Sequence, residues 1–157
     1  KKKDAILSQE GGKVKVIRDS LTGTVTSVNK DLIMMFVERG YTPVITIPAV
    51  TPAGELINVD NDRAVAVMVR DLSVTKVVML FEAPGFLADK GGEASRVARM
   101  GIAEIDTYIR KSEGRMRKKL LGIKEACAMG VTDVYLGDGR IRHPVRQALA
   151  GAGTVID

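Results

Sequence analysis

Lys76-Val77-Val78-Met79-Leu80-Phe81, closed by Pro84-Gly85, is the stretch that decides the fold. Apart from its leading lysine the run is apolar throughout, with no polar-apolar alternation. A strand with apolar side chains on both faces belongs in a sheet covered on both faces, the habit of parallel sheets with helical crossovers. Two further runs have the same character. One is Pro43-Val44-Ile45-Thr46-Ile47, ended by Pro48 and read as a buried strand. The other is Val131 to Leu136, followed by the turn Gly137-Asp138-Gly139. Between these runs apolar residues recur at helical spacing. Leu32, Ile33, Phe36 and Val37 have Asn29 or Ser27 as a cap and Gly40 as a stop. Ala64 to Val69 is a small-residue helix, and Ile102, Ile105 and Ile109 mark another. Met116, Leu120, Ile123 and Cys127 mark a longer one ended by Gly130, and Pro144 to Leu149 is short. Leu56 to Val59 and the closing Thr154-Val155-Ile156 add extended segments. Strands alternating with helices make an α/β sandwich with a mainly parallel sheet. Ligands of such sheets bind beyond the carboxyl ends of the strands, so the loops after Ile47, Phe81 and Leu136 matter most.

The front of the chain reads differently. Ala5-Ile6-Leu7 and Val14-Lys15-Val16-Ile17 flank a turn at Glu10-Gly11-Gly12, the pattern of a hairpin. A second turn region, Asp19 to Gly23, leads to the alternating Thr24-Val25-Thr26, and a polar loop passes through Lys90-Gly91-Gly92. At 157 residues the chain has the length of one domain. A composition of 45% hydrophobic and 27% charged residues excludes collagen-like, disordered and coiled-coil classes. No apolar run approaches the ~20 residues of a membrane span. The opening Lys1-Lys2-Lys3-Asp4 is not followed by the apolar core of a signal peptide. A single cysteine fits a reducing, cytoplasmic setting, and one Cys with one His is too few for the usual zinc site. The net charge of +5 suits nucleic acid, an acidic protein or a phosphorylated ligand. With aromatic residues at 4% and no Trp, stacking platforms for nucleic acid are poorly supplied.

Three constellations carry candidate chemistry. Asn58-Val59-Asp60-Asn61-Asp62 stands directly before a helix. Capping uses one such side chain, and the others are then available to a substrate carboxylate or phosphate near the helix start. Gly114-Arg115-Met116-Arg117-Lys118-Lys119 opens an amphipathic helix and reads either as a solvated basic face or as a polyphosphate cradle. Leu136-Gly137-Asp138-Gly139-Arg140 is a tight turn whose glycines permit close approach of a ligand. There is no Walker-type loop and no dinucleotide fingerprint. His143, beside Pro144, reads as a surface helix-start residue and Cys127 as core, and no Ser-His-Asp or Cys-His arrangement can be assembled.

Taken in order, these pieces resemble the later part of an amino-acid kinase, and within that family the acetylglutamate kinase branch. The resemblance is carried by Gly40-Tyr41-Thr42-Pro43-Val44-Ile45, by Leu56-Ile57-Asn58-Val59-Asp60-Asn61-Asp62-Arg63-Ala64 and by Pro84-Gly85-Phe86. It continues through Gly114-Arg115-Met116-Arg117-Lys118-Lys119-Leu120, Gly137-Asp138-Gly139-Arg140 and Ala148-Leu149-Ala150-Gly151-Ala152-Gly153-Thr154-Val155-Ile156. The matching motifs fall within residues 24 to 157, and the front hairpin resembles archaeal-type enzymes. Those enzymes act on glutamate or 2-aminoadipate held on an acidic amino-group carrier protein, in arginine or lysine biosynthesis. The resemblance implies a three-layer sandwich in which residues 1–157 form the C-terminal portion of one kinase domain. Residues 1–28 would be the hairpin and connecting strands, and 29–157 the nucleotide-binding α/β part.

The reaction so implied is transfer of the γ-phosphoryl group of ATP to a side-chain carboxylate. By resemblance Lys119 stabilises the transferring phosphoryl, Asn58 holds the α-carboxylate end of the substrate, and Asp62 orients the catalytic lysines. Phe81, Glu82, Gly85, Met116, Gly137, Asp138 and Gly139 fall where the nucleotide is contacted. Mg²⁺ would come with ATP, held chiefly by phosphate oxygens rather than by protein ligands, and the protein would be a homo-oligomer. The exposed-looking basic groups Lys1-Lys2-Lys3, Arg110-Lys111 and Arg115-Arg117-Lys118 suit an acidic carrier. Neither a nucleic-acid nor a membrane partner is expected. Two departures stand out. Phe81-Glu82 replaces the family's usual Ser/Thr-Asp, which favours as the alternative a non-catalytic nucleotide- or amino-acid-binding domain of the same fold. Aspartate, uridylate, carbamate and isopentenyl phosphate kinases are further relatives to weigh. The family's leading lysine strand, Gly-Gly loop and substrate-binding arginine have no counterpart after Lys1. The expectation is a chain inactive alone whose full-length gene product supplies the rest.

Overall fold

Strand β1 (Ile6–Glu10) pairs antiparallel with β2 (Lys13–Ile17), setting Leu7 opposite Val16. The hairpin is therefore as the sequence implies. The structure is a computed structural model describing all residues except 11, 12, 19, 90 and 91, together with all side chains but those of 6, 8, 9, 10, 13 and 115. Gly11 and Gly12 of the hairpin turn, Asp19, and Lys90-Gly91 of the polar loop thus lie outside the described residues. The chain divides into two units, residues 1–72 and 73–157.

In the first unit, helix α1 (Lys30–Glu38) begins where Asn29 Oδ1 accepts the Leu32 amide at 3.1 Å, an N-cap, and ends before Gly40. Strands β3 (Ala49–Val50) and β4 (Leu56–Ile57) form a short antiparallel pair. Beyond β4, Asn58 bridges to Thr22 in parallel fashion, and helix α2 (Asn61–Leu72) follows. Among the described side chains, the buried apolar residues of this unit are Ile57, Val59, Ala66 and Val69.

Two expected extended segments differ here. Thr24-Val25-Thr26 is not part of a strand: Thr24 exchanges main-chain hydrogen bonds with Lys1 beside the isolated Lys2–Gly23 bridge, and the residues after it bond to side chains of α2. Arg70 Nη2 donates to the Thr26 carbonyl at 2.8 Å, and the Val28 amide donates to Asp71 Oδ2 at 2.9 Å. Pro43 to Ile47 forms no strand among the described residues, and Val44 is 94% exposed. A β-branched run becomes a strand only against a hydrogen-bonded neighbour, and none of the described segments supplies one.

The second unit holds β5 (Lys76–Phe81), β6 (Arg99–Met100), α3 (Ile105–Lys111), α4 (Gly114–Ala128), β7 (Asp133–Asp138), α5 (Pro144–Leu149) and β8 (Thr154–Ile156). Its sheet has the order β5-β7-β8-β6; β5–β7 and β6–β8 are parallel, and β7–β8 is antiparallel. This is the expected mixed α/β architecture with a mainly parallel sheet. β7 lies inside the sheet with Val134 and Leu136 buried, whereas β5 lies at its edge and is only half-buried. Helix α5 packs on β7 and β5, and α3 packs on α4. Met100, Ile105, Leu120, Ile123, Leu136 and Ile156 fill the core. No helix among the described residues is long and apolar enough to cross a membrane.

Candidate functional site

The parallel pair β5–β7 sets Phe81 opposite Asp138, so both strands deliver their carboxyl ends to one place. That is where an α/β sheet presents loops to a ligand. The Gly139 amide donates to the Phe81 carbonyl at 2.9 Å and closes the pair. Beside it lies a hollow of about 110 Å³ whose wall includes Pro84, Gly137, Asp138, Gln147 and Gly153. Pockets for whole small-molecule ligands run to roughly 300 Å³ or more, so the hollow admits part of a nucleotide, such as a ring edge, and not all of it.

Asp138 is held by Arg140. The Arg140 amide and Nε donate to Oδ1 at 2.9 and 2.8 Å, and Nη2 donates to Oδ2 at 2.6 Å. These hydrogen bonds, with the guanidinium charge behind them, hold the Asp138 carboxyl down at about 2. Arg140 also stands 3.6 Å from Glu93. At the end of β7 Arg140 thus offsets one of two neighbouring carboxylates, Asp138 and Glu93, and lessens their repulsion of an approaching polyphosphate. Glu82 is exposed and Phe81 half-buried, and Gly85 is buried against the start of β8.

On α4, Gly114 starts the helix at φ +56. Leu120 and Ile123 point into the core, Met116 and Lys119 are half-buried one turn apart, and Arg117 and Lys118 are exposed. In the first unit Asp60 takes the capping role: its Oδ1 accepts the Arg63 amide at 3.2 Å. Asn58, with an exposed side chain, and the half-buried Asp62 flank that cap.

The expected residues fall into three groups. Phe81, Glu82, Gly85, Gly137, Asp138 and Gly139 gather at the β5–β7 end; Met116 and Lys119 share a turn of α4; Asn58 and Asp62 share the β4–α2 junction of the first unit. His143 sits on the surface at the start of α5, as expected. Cys127 is half-buried, and burial pushes its thiol up. Glu93 and Thr154 join the site without having been singled out for it. Nothing in the sequence signals Glu93, because it meets Arg140 only through the fold.

The sequence profile described as the amino acid kinase family matches residues 3–138. The chain is 44% identical over 156 residues to a LysW-aminoadipate kinase of Deinococcus radiodurans, covering 99% of this chain and 53% of that protein. It is 39% identical to a LysW-aminoadipate kinase of Thermus thermophilus, covering 99% and 59%. An acetylglutamate kinase of Alkaliphilus metalliredigens is 31% identical, with 96% and 51% covered. The chain thus spans about half the length of the curated relatives it matches. Among solved structures, N-acetylglutamate synthase from Neisseria gonorrhoeae has a TM-score of 0.78 at 19% identity, with 87% of this chain and 32% of that one covered. Carbamate kinase from Giardia lamblia has a TM-score of 0.64 at 15% identity, with 97% and 50% covered. These two share the fold.

Proposed function

Because the chain belongs to the amino acid kinase family, we propose that the polypeptide containing it transfers the γ-phosphoryl group of ATP to the side-chain carboxylate of an amino-blocked glutamate or 2-aminoadipate. The observation that carries this reading is the β5–β7 end, where Gly137-Asp138-Gly139 stands in register with Phe81 beside a hollow fit for part of a nucleotide. A carboxylate is already a nucleophile at neutral pH, so the step needs no general base. It needs two anions aligned and their charge offset. Lys119 supplies positive charge to the transferring phosphoryl, Asn58 grips the acceptor's α-carboxylate end, and Asp62 holds the lysines in place. Mg²⁺ enters with ATP, carried chiefly by its phosphate oxygens. This chain acts as the C-terminal portion of the kinase domain.

We place the acceptor on an acidic carrier protein. Relatives named for LysW-linked substrates support this, as do Arg110, Lys111, Arg117 and Lys118, all exposed on α3 and α4. Kinase assays on the full-length protein with acetylglutamate, carrier-bound glutamate and carrier-bound aminoadipate test the reading. Phosphorylation of a carrier-bound acceptor is the expected result. ATP binding without turnover on any acceptor would favour the non-catalytic domain that Phe81-Glu82 suggests.

A further inference from the structure

We propose that Thr154, at the start of β8, is a positioning residue that fixes the width of the hollow lined by Pro84, Gly137 and Asp138. Its side chain is 1% exposed and makes two hydrogen bonds inside the protein. The Oγ1 atom accepts the Phe86 amide at 2.8 Å and donates to the Val97 carbonyl at 2.5 Å. One hydroxyl thereby ties the loop leaving β5 to the segment entering β6. The Val97 amide completes the brace by donating to the Phe86 carbonyl at 2.9 Å.

The turn held in this way has no slack. Gly85 sits at φ +146, and a Cβ there would stand 2.7 Å from Thr154 Oγ1. On the other side Arg96 donates to the Gly153 carbonyl, fixing the residue before Thr154. The Phe86 ring meets Tyr108 of α3 edge to face at 5.2 Å between centroids. Phe86 is thus anchored by its ring, its carbonyl and its amide, and only the amide anchor is made by Thr154. Pro84, two residues before Phe86, lines the hollow together with Gly137 and Asp138. Loss of the hydroxyl leaves the buried Phe86 amide and the part-buried Val97 carbonyl without that partner, and the turn moves to satisfy them. A valine there keeps the shape and removes only the bonding.

The consequence for nucleotide binding rests on the kinase reading; the positioning itself does not. The experiment compares wild type, Thr154→Val and Thr154→Ser in the full-length protein by amide hydrogen exchange and by steady-state kinetics. In Thr154→Val, Phe86 amide exchange is expected to accelerate while the Val134 and Leu136 amides keep their protection. The KM for ATP is expected to rise about tenfold, the fold-change of one lost hydrogen bond of ordinary strength, with the acceptor KM unchanged. Thr154→Ser is expected to restore both. Unchanged Phe86 exchange in Thr154→Val, or equal loss of protection throughout the sheet, overturns the positioning role. Accelerated exchange with an unchanged ATP KM overturns the link to the nucleotide. A wild type that binds no ATP overturns the kinase reading and leaves the exchange comparison to decide Thr154. If Thr154→Val does not fold, Thr154→Cys weakens the same two hydrogen bonds and is expected to accelerate Phe86 amide exchange and raise the ATP KM in the same direction. An unaltered ATP KM in that variant counts against the proposal.

Discussion

Arg140 keeps Asp138 ionised far below the ordinary carboxylate range, at about 2 rather than 3.8. A group whose carboxyl is lowered on folding adds stability above its unfolded value and loses it as pH falls toward the folded one. The pair's contribution is therefore complete above pH 3.8 and disappears progressively as pH falls to about 2. In Arg140→Gln the Asp138 carboxyl is expected to titrate near its ordinary value by NMR, and the stability difference from wild type should close across that same interval. Lys119→Ala belongs to the same scale. In the full-length protein it should lower turnover by about a hundredfold or more with folding intact, since an oriented charge in the reacting centre is being removed; normal turnover would remove Lys119 from the reaction. Among neighbouring polar residues the sequence alone left the capping role open between Asp60, Asn61 and Asp62. The Asp60–Arg63 hydrogen bond settles it, because only backbone geometry decides which side chain reaches a free amide.

Elements with a complete local signal were legible. β5, α5 and β8 run as read, because an apolar run before Pro84, a proline at the first helical position, and a β-branched run after Gly153 each mark their own ends. Asn29 is a further case. Asn29→Ala should cost about 1 kcal/mol by removing the cap on Leu32, measured as a lowered urea midpoint with unchanged slope. Gly153 shows the opposite side of legibility: nothing local marks it, yet a Cβ there would overlap the Leu136 carbonyl oxygen. Gly153→Ala should destabilise the second unit by about 3 kcal/mol or more through overpacking, read from the same denaturant curves. The two-residue strands β3 and β6 are too short to carry a periodic signal, so only their partners define them. Pro43 to Ile47 shows the converse, a strand-like run whose pairing partner is missing from the described residues.

At the scale of the whole molecule, exposed apolar surface and a length about half that of its relatives agree with each other. Leu32, Phe36, Val37, Tyr41, Val44 and Ile45 are all exposed in the first unit. Large apolar side chains exposed in one short stretch, among them the Phe36–Tyr41 ring pair, are ordinarily covered where they form a patch. The 157-residue chain alone should therefore bind a hydrophobic dye strongly, and the full-length protein weakly. The net charge of +5 leads to a second expectation. If the basic residues of α3 and α4 steer an acidic carrier, added salt should lower kcat/KM for the carrier-bound acceptor much more than for acetylglutamate. The most direct test of carboxylate phosphorylation is to trap its product. Full-length protein is incubated with ATP, Mg²⁺, hydroxylamine and a carrier-bound glutamate or aminoadipate, and the acyl hydroxamate and ADP are measured together. A side-chain acyl phosphate predicts hydroxamate formed in step with ADP and nearly abolished in Lys119→Ala. ATP binding with neither hydroxamate nor acceptor-dependent ADP would contradict it.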